Sequence, residues 1–255
     1  MRRLNIYIWA MLSFLVALAV AVVIIPAAGP YRSVTVAAAL ALSAAVAALF
    51  VVRAFRAARR EPALKLTWVL FSLGALGWFG AEVFRFYRVA TYGVLAPYPT
   101  YADLLWGIGA AFLVAVLIIK VIKRPREVSP QAVAGALATA ALALIVTVNF
   151  VLVPALRNPA LTPRDRLLDC FIVSADFALG ALALLVIAIY GGRGMGRPWA
   201  QLAVGIIFYA LGDAIHWHLT GAGQYGPAGS LVTALFWAAG YLLIGLGAYY
   251  RRLVL

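Results

Sequence analysis

The chain has 255 residues, of which 66% are hydrophobic and 11% charged, and a formal net charge of +13. A water-soluble domain carries about 45–50% apolar and about 25% charged residues, so a chain this apolar takes lipid as its solvent. The basic excess does not indicate nucleic acid, because Lys and Arg sit mostly in short loops between apolar runs, the distribution that sets membrane topology.

Eight runs are long enough to cross roughly 30 Å of hydrocarbon at about 1.5 Å per residue. They lie at 5–27, 34–54, 66–89, 101–122, 131–154, 168–190, 199–220 and 229–250. They are continuously apolar rather than alternating, which selects helices over a barrel. The expected fold class is all-α, a polytopic membrane helix bundle of about eight transmembrane helices.

Run one follows Arg2-Arg3 and ends in Pro26-Ala27-Ala28-Gly29, a pattern shared with secretory signals. Its apolar stretch is longer than a typical signal core, so a retained helix is expected, with cleavage within 1–28 as the alternative. With the N-terminus inside, one face collects Arg2, Arg3, Arg53, Arg56, Arg59, Arg60, Lys65, Lys120, Lys123, Arg124, Arg126, Arg193, Arg197, Arg251 and Arg252. The other collects only Arg32, Arg85, Arg88, Arg157, Arg164 and Arg166. That bias predicts a cell-membrane protein with both termini cytoplasmic. The loops are too short to fold alone and the chain stops at Leu255, so any activity is expected within the membrane or through a partner.

Run three carries Trp78, Glu82 and Arg85 on one helical face, with Glu82 and Arg85 spaced to pair. Its Gly74, Gly77 and Gly80, like Gly240, Leu243 and Gly247 of run eight, permit close helix packing with this chain or another. Run four opens with Pro99-Thr100-Tyr101-Ala102-Asp103, which puts an acid at a helix N-terminus. Run six holds Asp169 near its start, read the same way, and Asp176 deeper. Its Cys170, the only cysteine, rules out an intramolecular disulfide and a Cys-based zinc site. Run seven presents Tyr209, Asp213, His216 and Trp217 at i, i+4, i+7 and i+8 on one face, with His218 pointing nearly opposite.

Ionisable groups inside spans are costly and mark candidate sites. The candidate ligand-pocket residues are Glu82, Arg85, Asp103, Asp176, Tyr209, Asp213, His216 and Trp217. The faces of runs three and seven occupy equivalent places, so one outward-facing pocket is expected. The inner half offers only hydroxyls such as Ser43, Thr67 and Ser72, a dry plug. The competing structural readings are an ion pair for Glu82 and Arg85, snorkelling for His218 and Arg88, and an interfacial aromatic belt for Trp78, Trp106, Trp217 and Trp237.

An internal repeat accompanies this pattern. Pro26 ends run one in VVIIP and Pro154 ends run five in FVLVP. Ala75-Leu76-Gly77 matches Ala210-Leu211-Gly212, Tyr92-Gly93 matches Tyr225-Gly226, and Trp106 with Gly109 matches Trp237 with Gly240. Each half has four spans, so the halves, 1–127 and 128–255, are expected as parallel four-helix repeats of one membrane domain.

The phrases AEVFRFYRVATYGVLAPYPTYADLLWGIG and LGDAIHWHLTGAGQYGPAGSLVTALFWAAGYLLIGLGA resemble the eight-span membrane modules at the N-terminus of many bacterial diguanylate cyclases and sensor kinases. Those modules show a Tyr-Gly-Pro outer loop, a Pro-Ser-x-x-Asp helix start and a later Gly-Tyr-x-Leu. Pro99 to Asp103 fits the helix start with Thr for Ser, and Gly240-Tyr241-Leu242 fits the later phrase. Ser230 and Thr233 depart from the expected serine and aspartate. The similarity covers residues 60–255 and implies a sensory input role; with no cyclase or kinase after Leu255, the output is expected on another chain.

The leading expectation is a non-catalytic, sensor-like or interaction module acting through a signalling partner or as a homo-oligomer, with no cofactor. The alternatives are a lipid-hydrolase-like enzyme using Asp213 and His216, a transporter, and a haem-b subunit of an electron-transfer complex with His216 or His218 as ligand. His216 and His218 lie on opposite helix sides, so they do not clamp one haem or metal.

Overall fold

The computed structural model describes residues 2–25, 30–58, 62–93, 100–123, 128–157, 162–191, 196–221, 224 and 227–254. Within them the regular structure is helical: α1 (Arg2–Ile24), α2 (Pro30–Ala58), α3 (Pro62–Tyr92), α4 (Tyr101–Ile122), α5 (Pro130–Thr147), a π-turn (Val148–Leu152), α6 (Val153–Arg157), α7 (Pro163–Tyr190), α8 (Arg197–Gly221) and α9 (Pro227–Val254). Seven are long and apolar enough to cross a membrane, with α5 and the π-turn counted as one; α1 carries a shorter apolar stretch, Ile6–Ala21. Large apolar side chains such as Ile6, Trp9, Leu66, Leu104, Leu142 and Phe171 cover the outer surface. This is a helical membrane bundle.

Several helices begin earlier than their apolar runs. Pro30, Pro62, Pro130, Pro163 and Pro227 each stand at a helix start. Proline suits this position because its missing N–H would have no partner there and its φ is already helical. Run six is the clearest correction. Its helix opens at Pro163, where Thr162 and Asp165 form a reciprocal capping box. Asp169 is therefore not a cap; it lies a turn further in and is buried. At α4 the expectation for the acid holds, since Asp103 closes a capping box with Thr100.

Six helices close a ring in the order α2, α3, α4, α7, α8, α9 and back to α2. Helix α1 packs outside it against α9 and α2, and α5 packs outside it against α7. The α1 seam is aromatic: Tyr7 stacks on Tyr249 at 5.8 Å and meets Phe50 edge-on at 5.3 Å. The ring helices cross closely where side chains vanish. A Cβ on Gly109 would lie 2.9 Å from the carbonyl oxygen of Gly74, and one on Gly240 would lie 2.9 Å from that of Gly205. Gly74 and Gly240 thus pack within this chain, α3 on α4 and α8 on α9. Of the repeat matches, those through Pro26 and through Tyr225-Gly226 lie outside the described residues.

Away from the site the interior is mostly apolar, with self-satisfied hydroxyls and the buried charged groups Lys120, Asp169 and Arg251. Ser43 donates to the Ala39 carbonyl at 2.8 Å and Ser72 to the Trp68 carbonyl at 2.7 Å. Near one end, the buried Lys120 places Nζ 3.7 Å from the centroid of the Trp199 ring.

The break in the fifth apolar run has a local cause. Pro154 has no N–H to return to the carbonyl of Phe150, and its ring would crowd that carbonyl in a regular helix. A π-turn at Val148–Leu152 widens the helix immediately before it. The Phe150 carbonyl instead accepts from His218 Nδ1 at 3.2 Å.

Candidate functional site

A cavity of about 270 Å³ lies among α3, α4, α7, α8 and α9. Glu82, Arg85, Asp103, Asp176, Tyr209, Asp213, His216 and Trp217 all line it. The helical spacing accounts for this convergence: the i, i+4, i+7, i+8 face of α8 meets the Trp78, Glu82, Arg85 face of α3 across the ring. His218 takes the other side of α8, exposed and bound to Phe150, so the two histidines do not converge.

The floor is a set of three rings. Trp78 stacks on Tyr209 at 4.0 Å with an interplanar angle of 18°, and Tyr241 lies 5.3 Å from Tyr209 and 5.9 Å from Trp78. These rings are buried, as is Trp237. Trp78 and Trp237 are therefore wall and floor of a site inside the ring, not members of an interfacial belt. Their N–H groups explain why. Trp78 Nε1 donates to the Trp106 carbonyl at 3.2 Å, and Trp237 Nε1 donates to Asp213 Oδ1 at 2.8 Å. An indole offers large apolar area and one donor, which suits a wall that must also hold an acid.

The acids are held in three different ways. Glu82, 1% exposed, accepts from the Tyr241 hydroxyl through Oε1 at 3.0 Å, and its Oε2 lies 3.9 Å from Arg85 Nη1. A buried carboxylate persists only with such compensation. Asp103 is occupied by its own helix end, accepting from Thr100 N–H at 2.6 Å and Thr100 Oγ1 at 2.9 Å. Asp213 accepts from the Trp237 indole N–H at 2.8 Å, and Asp176 lines the same cavity from α7.

Arg85 ties the groups together. Its guanidinium carbon lies 5.2 Å from the Trp237 ring centroid, and the same ring is 5.4 Å from His216. Arg88, beyond it on α3, lies 4.4 Å over Tyr92 and reaches the cavity rim. Among the described residues, no group of three His, Cys, Asp or Glu side chains is arranged to hold a metal ion. The cavity offers hydrogen-bonding groups and aromatic faces side by side.

Tyr241, the partner of Glu82, was not a sequence candidate. Its only signal was its place in the Gly-Tyr-x-Leu phrase. The contact joins residues on α9 and α3, which no local pattern reveals. Comparison with protein-family models, with curated proteins and with solved structures gives no match. What the fold defines is a class: a helical, multi-pass membrane bundle with a polar cavity inside its ring.

Proposed function

We propose that the protein is a sensor-like membrane input module whose cavity binds a ligand and whose response passes to a partner chain. The observation that carries this reading is the composition of the cavity wall: α3 and α4 come from the first half, α7, α8 and α9 from the second. A ligand there touches both halves at once and biases how they pack, which is the requirement for a binding event to move an equilibrium. In this reading α1 is the eighth span, both termini are cytoplasmic, and the cavity opens outward in the cell membrane. The halves 1–127 and 128–255 are parallel repeats. The matched glycine crossings of α3 on α4 and α8 on α9 support that arrangement. The resemblance to the membrane modules of diguanylate cyclases and sensor kinases supports a signalling output.

The test is a pulldown from native membranes in mild detergent, with an absorption spectrum of the same sample. A stoichiometric signalling partner supports the module. A protein that emerges alone, with no ligand-dependent change in its tryptophan emission, overturns it; a Soret band lost on His216→Ala moves the assignment to a haem carrier. One observation favours a second reading. Asp176, Asp213 and His216 line one cavity, an arrangement suited to general acid–base chemistry on a lipid. Release of product from lipid, abolished by Asp213→Asn, distinguishes that enzyme from the module.

A further inference from the structure

A second cavity, of about 240 Å³, lies between α5, α7 and α8. Its lining is mostly hydrocarbon, with Val173, Phe177, Leu184, Ile207 and Leu211 among the larger side chains and Ala143, Gly180, Ala210 and Ala214 among the smaller. Along α5 and the π-turn that follows it, the lining residues Thr139, Ala143, Thr147 and Val151 form one column at four-residue steps. That column is roughly 18 Å long at about 1.5 Å per residue, a little more than the half-thickness of a bilayer core of about 30 Å. Asp176 and Trp217 line this cavity and the polar one alike. The two spaces are neighbours across one carboxyl group and one indole.

The residues lining the polar cavity also carry buried polar atoms that make no hydrogen bond to a described residue: Trp106 Nε1, Arg88 Nε, and Glu82 Oε2, whose one partner is the Arg85 guanidinium at 3.9 Å. One is an acceptor and two are donors. A hydroxyl both donates and accepts, so it satisfies either kind. Four acids face two arginines on this wall. Glu82, Asp103 and Asp213 already have partners in Arg85 and Tyr241, Thr100 and Trp237, so the site disfavours an anionic head and suits a hydroxyl.

We propose that the two cavities form one site for a single-chain amphiphile, with a neutral, hydroxyl-bearing head in the polar cavity and its hydrocarbon tail in the α5–α7–α8 cavity. The tail passes Asp176 and Trp217. The head meets Glu82 and Trp106. This inference rests on the sensor-like reading of the cavity and names the chemistry of its ligand.

The experiment uses the full chain in phosphatidylcholine nanodiscs, with tryptophan emission as the signal. The probe is a monoacylglycerol brominated at mid-chain, since bromine quenches an indole only at close range. Saturable quenching is expected, with a large share lost in Trp217→Phe. Ala143→Phe, on the peripheral α5, fills the tail cavity and is expected to weaken binding about tenfold, the equivalent of about 1.4 kcal/mol. Trp106→Phe keeps an aromatic ring but removes the donor, and is expected to weaken the hydroxylated probe about fivefold, as for one hydrogen bond of about 1 kcal/mol. Trp106→Phe leaves a brominated alkane unaffected. Equal quenching by chains with glycerol, phosphocholine and carboxylate heads, or full binding by Ala143→Phe, overturns the proposal. Saturable probe binding without any partner response overturns the sensor reading alone. A partner response to a water-soluble ligand, with no probe binding, overturns this inference alone.

Discussion

Replacing Gly109 by alanine tests whether the crossing of α3 and α4 sets the cavity wall. A Cβ here would lie 2.5 Å from Cδ1 and 3.0 Å from Nε1 of Trp78, and 2.9 Å from the Gly74 carbonyl oxygen. Trp78 has little room to yield. It is 2% exposed, stacked on Tyr209 at 4.0 Å and bonded to the Trp106 carbonyl at 3.2 Å. Relief therefore comes from parting the helices or from giving up the stack and the hydrogen bond. Overpacking costs about 1–3 kcal/mol, an aromatic pair about 0.5–1.5 kcal/mol and a hydrogen bond about 0.5–1.5 kcal/mol. These are alternative routes, so the expected loss is about 2–3 kcal/mol rather than their sum. At roughly 2–4 °C per kcal/mol for a chain of this size, Tm falls by roughly 4–12 °C. Gly135→Ala on α5, whose Cβ would meet nothing within 4 Å, is the control and is expected to melt as the parent does. Thermal unfolding in detergent, followed by near-ultraviolet circular dichroism, reads both the stability and the Trp78–Tyr209 stack. A Gly109→Ala protein with the parent's Tm and dichroism would refute the reasoning.

Three further outcomes are expected. Tyr241→Phe removes the hydroxyl that Glu82 accepts at 3.0 Å and lowers stability by about 1–3 kcal/mol; Tyr241→Phe with Glu82→Gln recovers part of the loss, and additive losses in chemical denaturation would argue against the pairing. A hydrophobic carbodiimide, which enters from the lipid phase, is expected to modify Asp176, the carboxyl group that lines both cavities; mass spectrometry that finds Asp176 unmodified in the folded protein contradicts that access. Thr100→Val opens the capping box of α4 and costs about 1 kcal/mol in thermal unfolding, whereas a larger loss would mean that Thr100, which also lines the cavity, holds more than its helix end.

Where the bilayer dictates structure, the chain is easy to read. A span must be apolar and helical, so the runs announce themselves. Helical spacing then puts Tyr209, Asp213, His216 and Trp217 on one face without knowledge of the fold. Helix starts are less legible from hydropathy, because Pro30, Pro62, Pro130, Pro163 and Pro227 begin helices in segments that are not themselves apolar. The indoles needed the fold to decide between two readings. By sequence Trp78 and Trp237 fit a site or a belt, and their N–H groups find partners inside the ring. Tyr241 and the outer positions of α1 and α5 depend on which helices become neighbours, and one sequence without its fold does not contain that in local form.

The π-turn before Pro154 makes the length of the fifth apolar run a matter of angle. One extra residue in a single turn puts everything beyond it out of phase with the preceding helix by about 100°. Deleting one residue from 148–152 other than Phe150 would leave the run able to reach the same depth. It would also rotate α6 by more than a quarter turn and return the Phe150 carbonyl to the crowding of a proline ring. His218 would then hold an oxygen that no longer points toward it. Insertions and deletions of one residue here are rotations, and related chains of this architecture should keep the count at this place even where they change every side chain around it.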